Sequence, residues 1–153
     1  MKEDKPIKFG LKSICTDEFA TVEDTPITDD KVQLDHSFTF SLNTDATELT
    51  VTFKLSFKSE ERPFIILQVS CVFGIKSESL LISAKGEPKK IQVPKDFMAH
   101  LAFLTTGTAR GVLHSKLEQT EFNKYLLPIL DVSKAFENDA IFDLHPSKPA
   151  IKI

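Results

Sequence analysis

Four histidines, two cysteines and the acidic pairs Asp29-Asp30 and Glu60-Glu61 are the residues of this chain with the most chemical range. His36, His100, His114 and His145 lack the spacing of a metal-ligand set; on a helix, His100 and His114 stand nearly four turns apart and would not share one ion. Cys15 and Cys71 are far apart, each inside a strand-like apolar run, which suggests neither a metal cluster nor a disulfide framework. Both are expected as buried free thiols in a reducing cytosol. Cys71 beside a histidine would make a nucleophile and base, but a cysteine on an apolar strand belongs first to the core. Glu60-Glu61 and Asp29-Asp30 fall in loop contexts as solvated charge, and no glycine-rich phosphate loop occurs. No catalytic, metal or cofactor site is therefore expected, and the chain is read as non-enzymatic.

The elements that carry these residues are regular. With 153 residues the chain fits one domain, which buries ~70% of the surface its unfolded form would expose. Thirteen Phe against one Tyr and no Trp supply apolar area without a polar handle. A net charge of -3 without clustered Lys and Arg argues against nucleic acid and anionic membranes. Met1 to Pro6 lacks the apolar core of a signal peptide, and no apolar stretch reaches the ~20 residues of a membrane span. A cytoplasmic protein without membrane insertion is the expectation.

The first half reads as strands. Ile7, Phe9 and Leu11 alternate with polar neighbours, and the phase shifts near Ile14 and Cys15 as at a bulge. After a polar loop at 23–33, a strand at about 34–43 places Phe38, Phe40 and Leu42 on one side. Asn43 to Ala46 make a turn, and the next strand sets Leu49, Val51, Phe53, Leu55 and Phe57 against Thr50, Thr52, Lys54, Ser56 and Lys58. Phe64 to Ile75 is β-rich with Ile65, Leu67, Val69, Cys71, Phe73 and Ile75 on one face and Phe64, Ile66 and Val72 on the other. Apolar residues on both faces suggest a strand that is central or covered on both sides, by a helix on one and by a partner subunit or ligand on the other.

The pattern changes after Lys85-Gly86-Glu87-Pro88. Pro94 suits the first turn of a helix from about 95 to 117, whose stripe runs through Phe97, Leu101, Leu104, Thr108 and Val112, broadened by Met98, Ala102, Ala109 and Leu113. Pro128 breaks the apolar run after Thr120 into an extended crossover. Asp131 is placed to cap a short helix through Phe136, and the tail 138–153 is expected to be peripheral or partly disordered. Gly107 and Gly111 share a helix face at a cost of ~1 kcal/mol each relative to Ala, offset either by close helix contact at a subunit interface or by close packing of the helix on its own sheet. Arg110, between them, would pair across an interface or point to solvent.

Three stretches carry a family resemblance: Ile91-Gln92-Val93-Pro94-Lys95-Asp96-Phe97-Met98-Ala99-His100-Leu101, Gly107-Thr108-Ala109-Arg110-Gly111-Val112-Leu113-His114, and Leu127-Pro128-Ile129-Leu130-Asp131-Val132. They resemble the helix with a small-residue/Arg-Gly step and the Leu-Pro crossover of SecB-like export chaperones, most of all the divergent SecB-like proteins of Bacteroidetes-type bacteria. The resemblance covers residues 7–137 by pattern and 93–136 by motif. It implies an α+β fold, a four-stranded antiparallel sheet with a long helix on one face, a crossover and a short second helix in a single domain. It further implies a homotetramer built as a dimer of dimers that pair through helices, holding unfolded or precursor proteins in apolar grooves. Some members deliver clients to SecA and others serve toxin-antitoxin systems. Strand parity and the family pattern together nominate Phe38, Phe40, Phe64, Ile66, Val72, Phe122, Tyr125 and Leu127 for the groove, and Gly107, Arg110, Gly111 and His114 for the subunit interface. Lys54 and Lys58 on the polar strand face leave no acidic patch for a SecA contact. The competing reading is a module of the same fold dedicated to one protein partner or one small apolar ligand.

Overall fold

Period-two alternation becomes four long strands, β1 (Phe9–Thr21), β2 (Val32–Leu42), β3 (Glu48–Ser59) and β4 (Arg62–Ile75). The computed structural model describes residues 6–82, 89–144 and 150–152. The segment Lys85 to Pro88, the first five residues and His145 lie outside them. All four strands pair antiparallel in the order β1-β4-β3-β2, so β4 is central as its two-sided apolar pattern requires. A short β5 (Lys90–Val93) leads into α1 (Lys95–Leu117). The tail is more ordered than expected: β6 (Ala140–Asp143) pairs with β5 as a separate ribbon, and β7 (Ala150–Lys152) joins the main sheet beside β2.

The hairpins are built by local chemistry. Between β2 and β3, Asn43 Oδ1 accepts the amides of Thr47 and Glu48, each at 2.8 Å, and Ala46 takes φ 57°. Between β3 and β4 the two turn residues are Glu60 and Glu61, with φ 49° and 67°. Positive φ at both positions matches the twist of a tight hairpin, but it is usually supplied by Asn-Gly. β1 is irregular, as a phase shift implies, but its two register breaks against β4, at Leu11/Ser13 and Thr16/Glu18, flank the expected position at Ile14 and Cys15, which pair regularly with Cys71 and Ser70.

One sheet face is closed by α1, which packs on β3 and β4. Phe40, Phe53, Leu55, Leu67 and Val69 are fully buried there, and Phe38 and Phe53 pack at a tilt with ring centres 5.0 Å apart. The helix buries Met98, Leu101, Ala102, Thr105, Thr106, Ala109, Leu113 and Leu117. That stripe is rotated from the expected one: Leu104 is exposed, while Thr105 and Thr106 are buried because their hydroxyls donate to the carbonyls of Leu101 and Ala102, at 2.9 and 2.7 Å. The opposite sheet face is open and polar. Thr52 and Ser70 hydrogen-bond at 2.8 Å across β3 and β4, and Lys58 pairs with Asp35 at 2.7 Å and Lys54 with Glu18 at 3.8 Å. Cys15, expected to be buried, is exposed on this open side opposite Ser70, because β1 is an edge strand; Cys71 is buried as expected.

Candidate functional site

The start of α1 is fixed from far along the chain. Pro94 ends up one residue outside the helix, at φ -59° and ψ 141°, and gives no side-chain cap. Asp139, just before β6, substitutes: its carboxylate accepts the Lys95 amide at 2.9 Å and the Gln92 side chain at 2.8 Å. Those two bonds hold its carboxyl below the usual range, the backbone bond contributing most.

The crossover from Thr120 to Asp131 lies along the other flank of the helix, held by inward rings and one cation. Phe122 packs on Phe64 at 5.9 Å between centres, and Tyr125 packs on Phe57 and Phe64 at 5.6 and 5.0 Å. Arg110 Nε donates to the Leu127 carbonyl at 2.8 Å and its terminal nitrogen to the Pro128 carbonyl at 2.9 Å. The guanidinium thus ties helix to crossover within one chain, where the sequence allowed an interface pair or a solvated position. Asp131 precedes a four-residue 3-10 turn, Val132–Ala135, rather than a second α-helix; Ser133 Oγ donates to it at 2.6 Å, and that bond more than the nearby Lys134 keeps its carboxyl below the ordinary range.

With the inward residues committed, the outward ones are left bare. Ile129 is 87% exposed, Leu126 58% and Phe103 56%. Asp96, Ala99, His100 and Phe103 on the helix face Ile129 to Ser133 across a hollow of about 520 Å³. On the opposite flank Leu11 and Ile14 of β1 are also exposed, and Phe9 sets its ring edge-on to Phe97 and His100 at 5.3 and 5.6 Å. Apolar side chains therefore flank both sides of an outward helix face that carries Gly107, Gly111 and His114, all exposed. A Cβ built on either glycine would meet nothing within 4 Å, so close packing of the helix on its own sheet does not explain them.

The eight residues nominated for a groove do not share one surface. Phe38, Phe40, Phe64, Phe122 and Leu127 are buried between sheet, helix and crossover, and Tyr125 is half-buried beside them. Ile66 and Val72 lie half-buried on the open sheet face. Phe64 joins the first group because the β3–β4 register shifts beside Phe57, turning it toward Tyr125 against strand parity. The bare residues Phe103, Leu126 and Ile129 were missed; a helix phase set by Met98, Ala102, Ala109 and Leu113 would have placed Phe103 outside.

Among the described residues no three His, Cys, Asp or Glu side chains gather as a metal site. The exposed Cys15 has its thiol pKa raised, chiefly by a hydrogen bond with Asp17 and also by that carboxylate's charge, which disfavours the thiolate. No helix among the described residues is long and apolar enough to cross a membrane. What the surface offers is apolar area beside a hollow, a setting for binding.

No family model matches this sequence, and no curated protein does. Among solved structures, the chain is similar to the Mycobacterium tuberculosis Rv1957 SecB-like chaperone, solved in complex with a ChAD peptide from the Rv1956 HigA1 antitoxin. The TM-score is 0.51 at 11% identity, covering 80% of this chain and 87% of that one. A sheet of four long antiparallel strands under a single long helix is thus the SecB-like fold.

Proposed function

We propose that this protein is a non-enzymatic, chaperone-type binding protein that holds apolar stretches of unfolded polypeptide on the surface formed by α1 and the crossover. The observation that carries the reading is the exposure of Ile129 and Phe103 across one hollow, with Leu126 also bare on the crossover, where most other large apolar side chains among the described residues are enclosed. Each anchor covered by a client contributes about 1.5–3 kcal/mol, and ordering a flexible client removes 2–5 kcal/mol of the total. A single copy therefore binds weakly. Assembly as a homotetramer, a dimer of dimers joined through the helix faces around Gly107, Gly111 and His114, presents several such surfaces to one long client and gains ~10²–10⁴ in avidity. A cytoplasmic setting suits that task, and the likeness to Bacteroidetes-type proteins rests on the three motif stretches.

A second reading is supported by the neighbour's antitoxin peptide: the same surface serves one dedicated protein partner. Delivery to SecA has less support, since on the open sheet face the acids Glu18 and Asp35 are matched by the cations Lys54 and Lys58. Light-scattering mass, combined with aggregation of an unrelated unfolded protein diluted into the sample, separates the readings. A tetramer that suppresses aggregation near stoichiometry, and loses this in Phe103→Ser/Ile129→Ser while keeping its melting temperature, supports the general holdase. A folded protein that suppresses nothing rules it out in favour of the dedicated partner.

A further inference from the structure

The sheet has two edges, and they are not equivalent. β1 breaks register with β4 twice along its length, which disturbs the row of outward backbone groups that an added strand would need. β2 pairs with β3 residue for residue from Val32 to Leu42 without a shift, so its outer edge is a regular ladder of donors and acceptors. Part of that edge is already in use: β7 pairs antiparallel with Thr39, Phe40 and Ser41 through Lys152, Ile151 and Ala150. From Val32 to Phe38 the edge has no strand partner among the described residues.

We infer that the β2 edge from Val32 to Phe38 accepts an extended segment of client polypeptide as an added strand, with β7 as the chain's own occupant of the adjoining stretch. This rests on the polypeptide-holding reading and assigns it a second, backbone-directed contact. Seven residues of edge span about 23 Å. Main-chain bonding along that length is indifferent to client sequence, as a protein that holds unrelated chains requires. The two sides of the edge differ. Toward the helix it presents half-buried Leu34 and the ring of His36, which packs at a tilt against Phe38 and Phe53 with ring centres 6.2 and 5.9 Å away. Toward the open face it presents Gln33, Asp35 and Ser37, with Asp35 ion-paired to Lys58. The segment that fits alternates apolar and polar residues. Seating of the chain's own terminal strand in the next register positions shows that the edge takes an antiparallel strand.

Amide hydrogen exchange on the full chain, with and without an excess of reduced, carboxymethylated lactalbumin as a permanently unfolded probe, tests this. The outward amides of Val32–Phe38 are expected to exchange several-fold more slowly with the probe while those of β1 are unchanged, and Ile151→Pro, which disrupts β7, is expected to tighten probe binding several-fold. Binding of the probe with no added protection at Val32–Phe38, or with protection on β1 instead, overturns strand addition and leaves the holding reading intact. Concentration-dependent protection of Val32–Phe38 without the probe identifies a second copy as the occupant and also overturns it. A probe that does not bind at all removes both readings together.

Discussion

Phe53 and Phe103 carry the same side chain fifty positions apart, and the molecule treats them oppositely. Phe53 lies under the helix, fully enclosed by the rings of Phe38 and His36 and the rest of the core. Phe103 stands on the outward side of that helix at 56% exposure, beside an almost bare Ile129. Apolar content marks both regions equally in the sequence. What separates them is whether the same chain supplies the covering partner, and only a missing partner points to binding.

The strongest way to break this contrast is to delete both rings. Phe53→Ala leaves a cavity in a closed core and is expected to cost about 3–5 kcal/mol in urea unfolding. Phe103→Ala should change stability by less than ~0.5 kcal/mol while weakening client binding. Similar costs at the two positions would mean that the outward helix face is shut within each chain, and the binding surface would have to be sought elsewhere.

Arg110 marks the seam between the regions, so its removal is the next largest effect. Arg110→Ala leaves the carbonyls of Leu127 and Pro128 without their charged donor, a loss of about 1.5–3 kcal/mol, and should free the crossover for faster amide exchange from Leu126 to Leu130. Arg110→Lys should recover only part of this, because an ammonium does not reproduce two bonds from a planar fork. An unchanged crossover in both variants would show that the inward rings of Phe122 and Tyr125 suffice to hold it.

The strand layer was readable from sequence because alternation survives burial on one face: residues Phe38 to Leu42 and Leu49 to Phe57 fell where parity put them. The helix bounds were readable too, but not its rotation, since Thr105 and Thr106 look polar until their i-4 bonds are counted and Leu104 looks apolar whether or not anything covers it. The proposed binding surface was least legible. Phe122, Tyr125 and Leu127 differ from Leu126 and Ile129 only in which way the turns and irregular backbone of the crossover point them, and that follows from contacts with Phe57, Phe64 and Arg110 distant in sequence. The tail strands escaped notice because three- and four-residue strands carry too little periodicity to register, and Asp139 caps its helix from more than forty residues away.

Gly107 and Gly111 sharpen the comparison from the outward side. With no neighbour near a built Cβ, Gly107→Ala and Gly111→Ala should each raise the stability of the isolated chain by up to about 1 kcal/mol through helix propensity. If that face meets another copy closely, the same double variant lowers the tetramer fraction by light scattering even as the chain itself becomes more stable. Gains in stability with unchanged mass would show that this face makes no subunit contact.

The smallest effect lies at the border, where His36 stands on β2 between the covered rings and the open edge. Desolvation lowers its pKa below the ordinary 6.5, against the opposing charge of Asp35. A group that protonates less readily when folded contributes stability that is present above its unfolded value and is lost as pH falls below it toward the folded value. The urea midpoint should therefore decline between pH 7.5 and pH 5.5, a window above the range in which Asp131 and Asp139 take up protons. In His36→Phe, which keeps a ring on Phe38 and Phe53, that decline should shrink. An equal decline in both proteins would show that His36 is as well hydrated in the fold as in the unfolded chain, and that the dry region ends at Phe38.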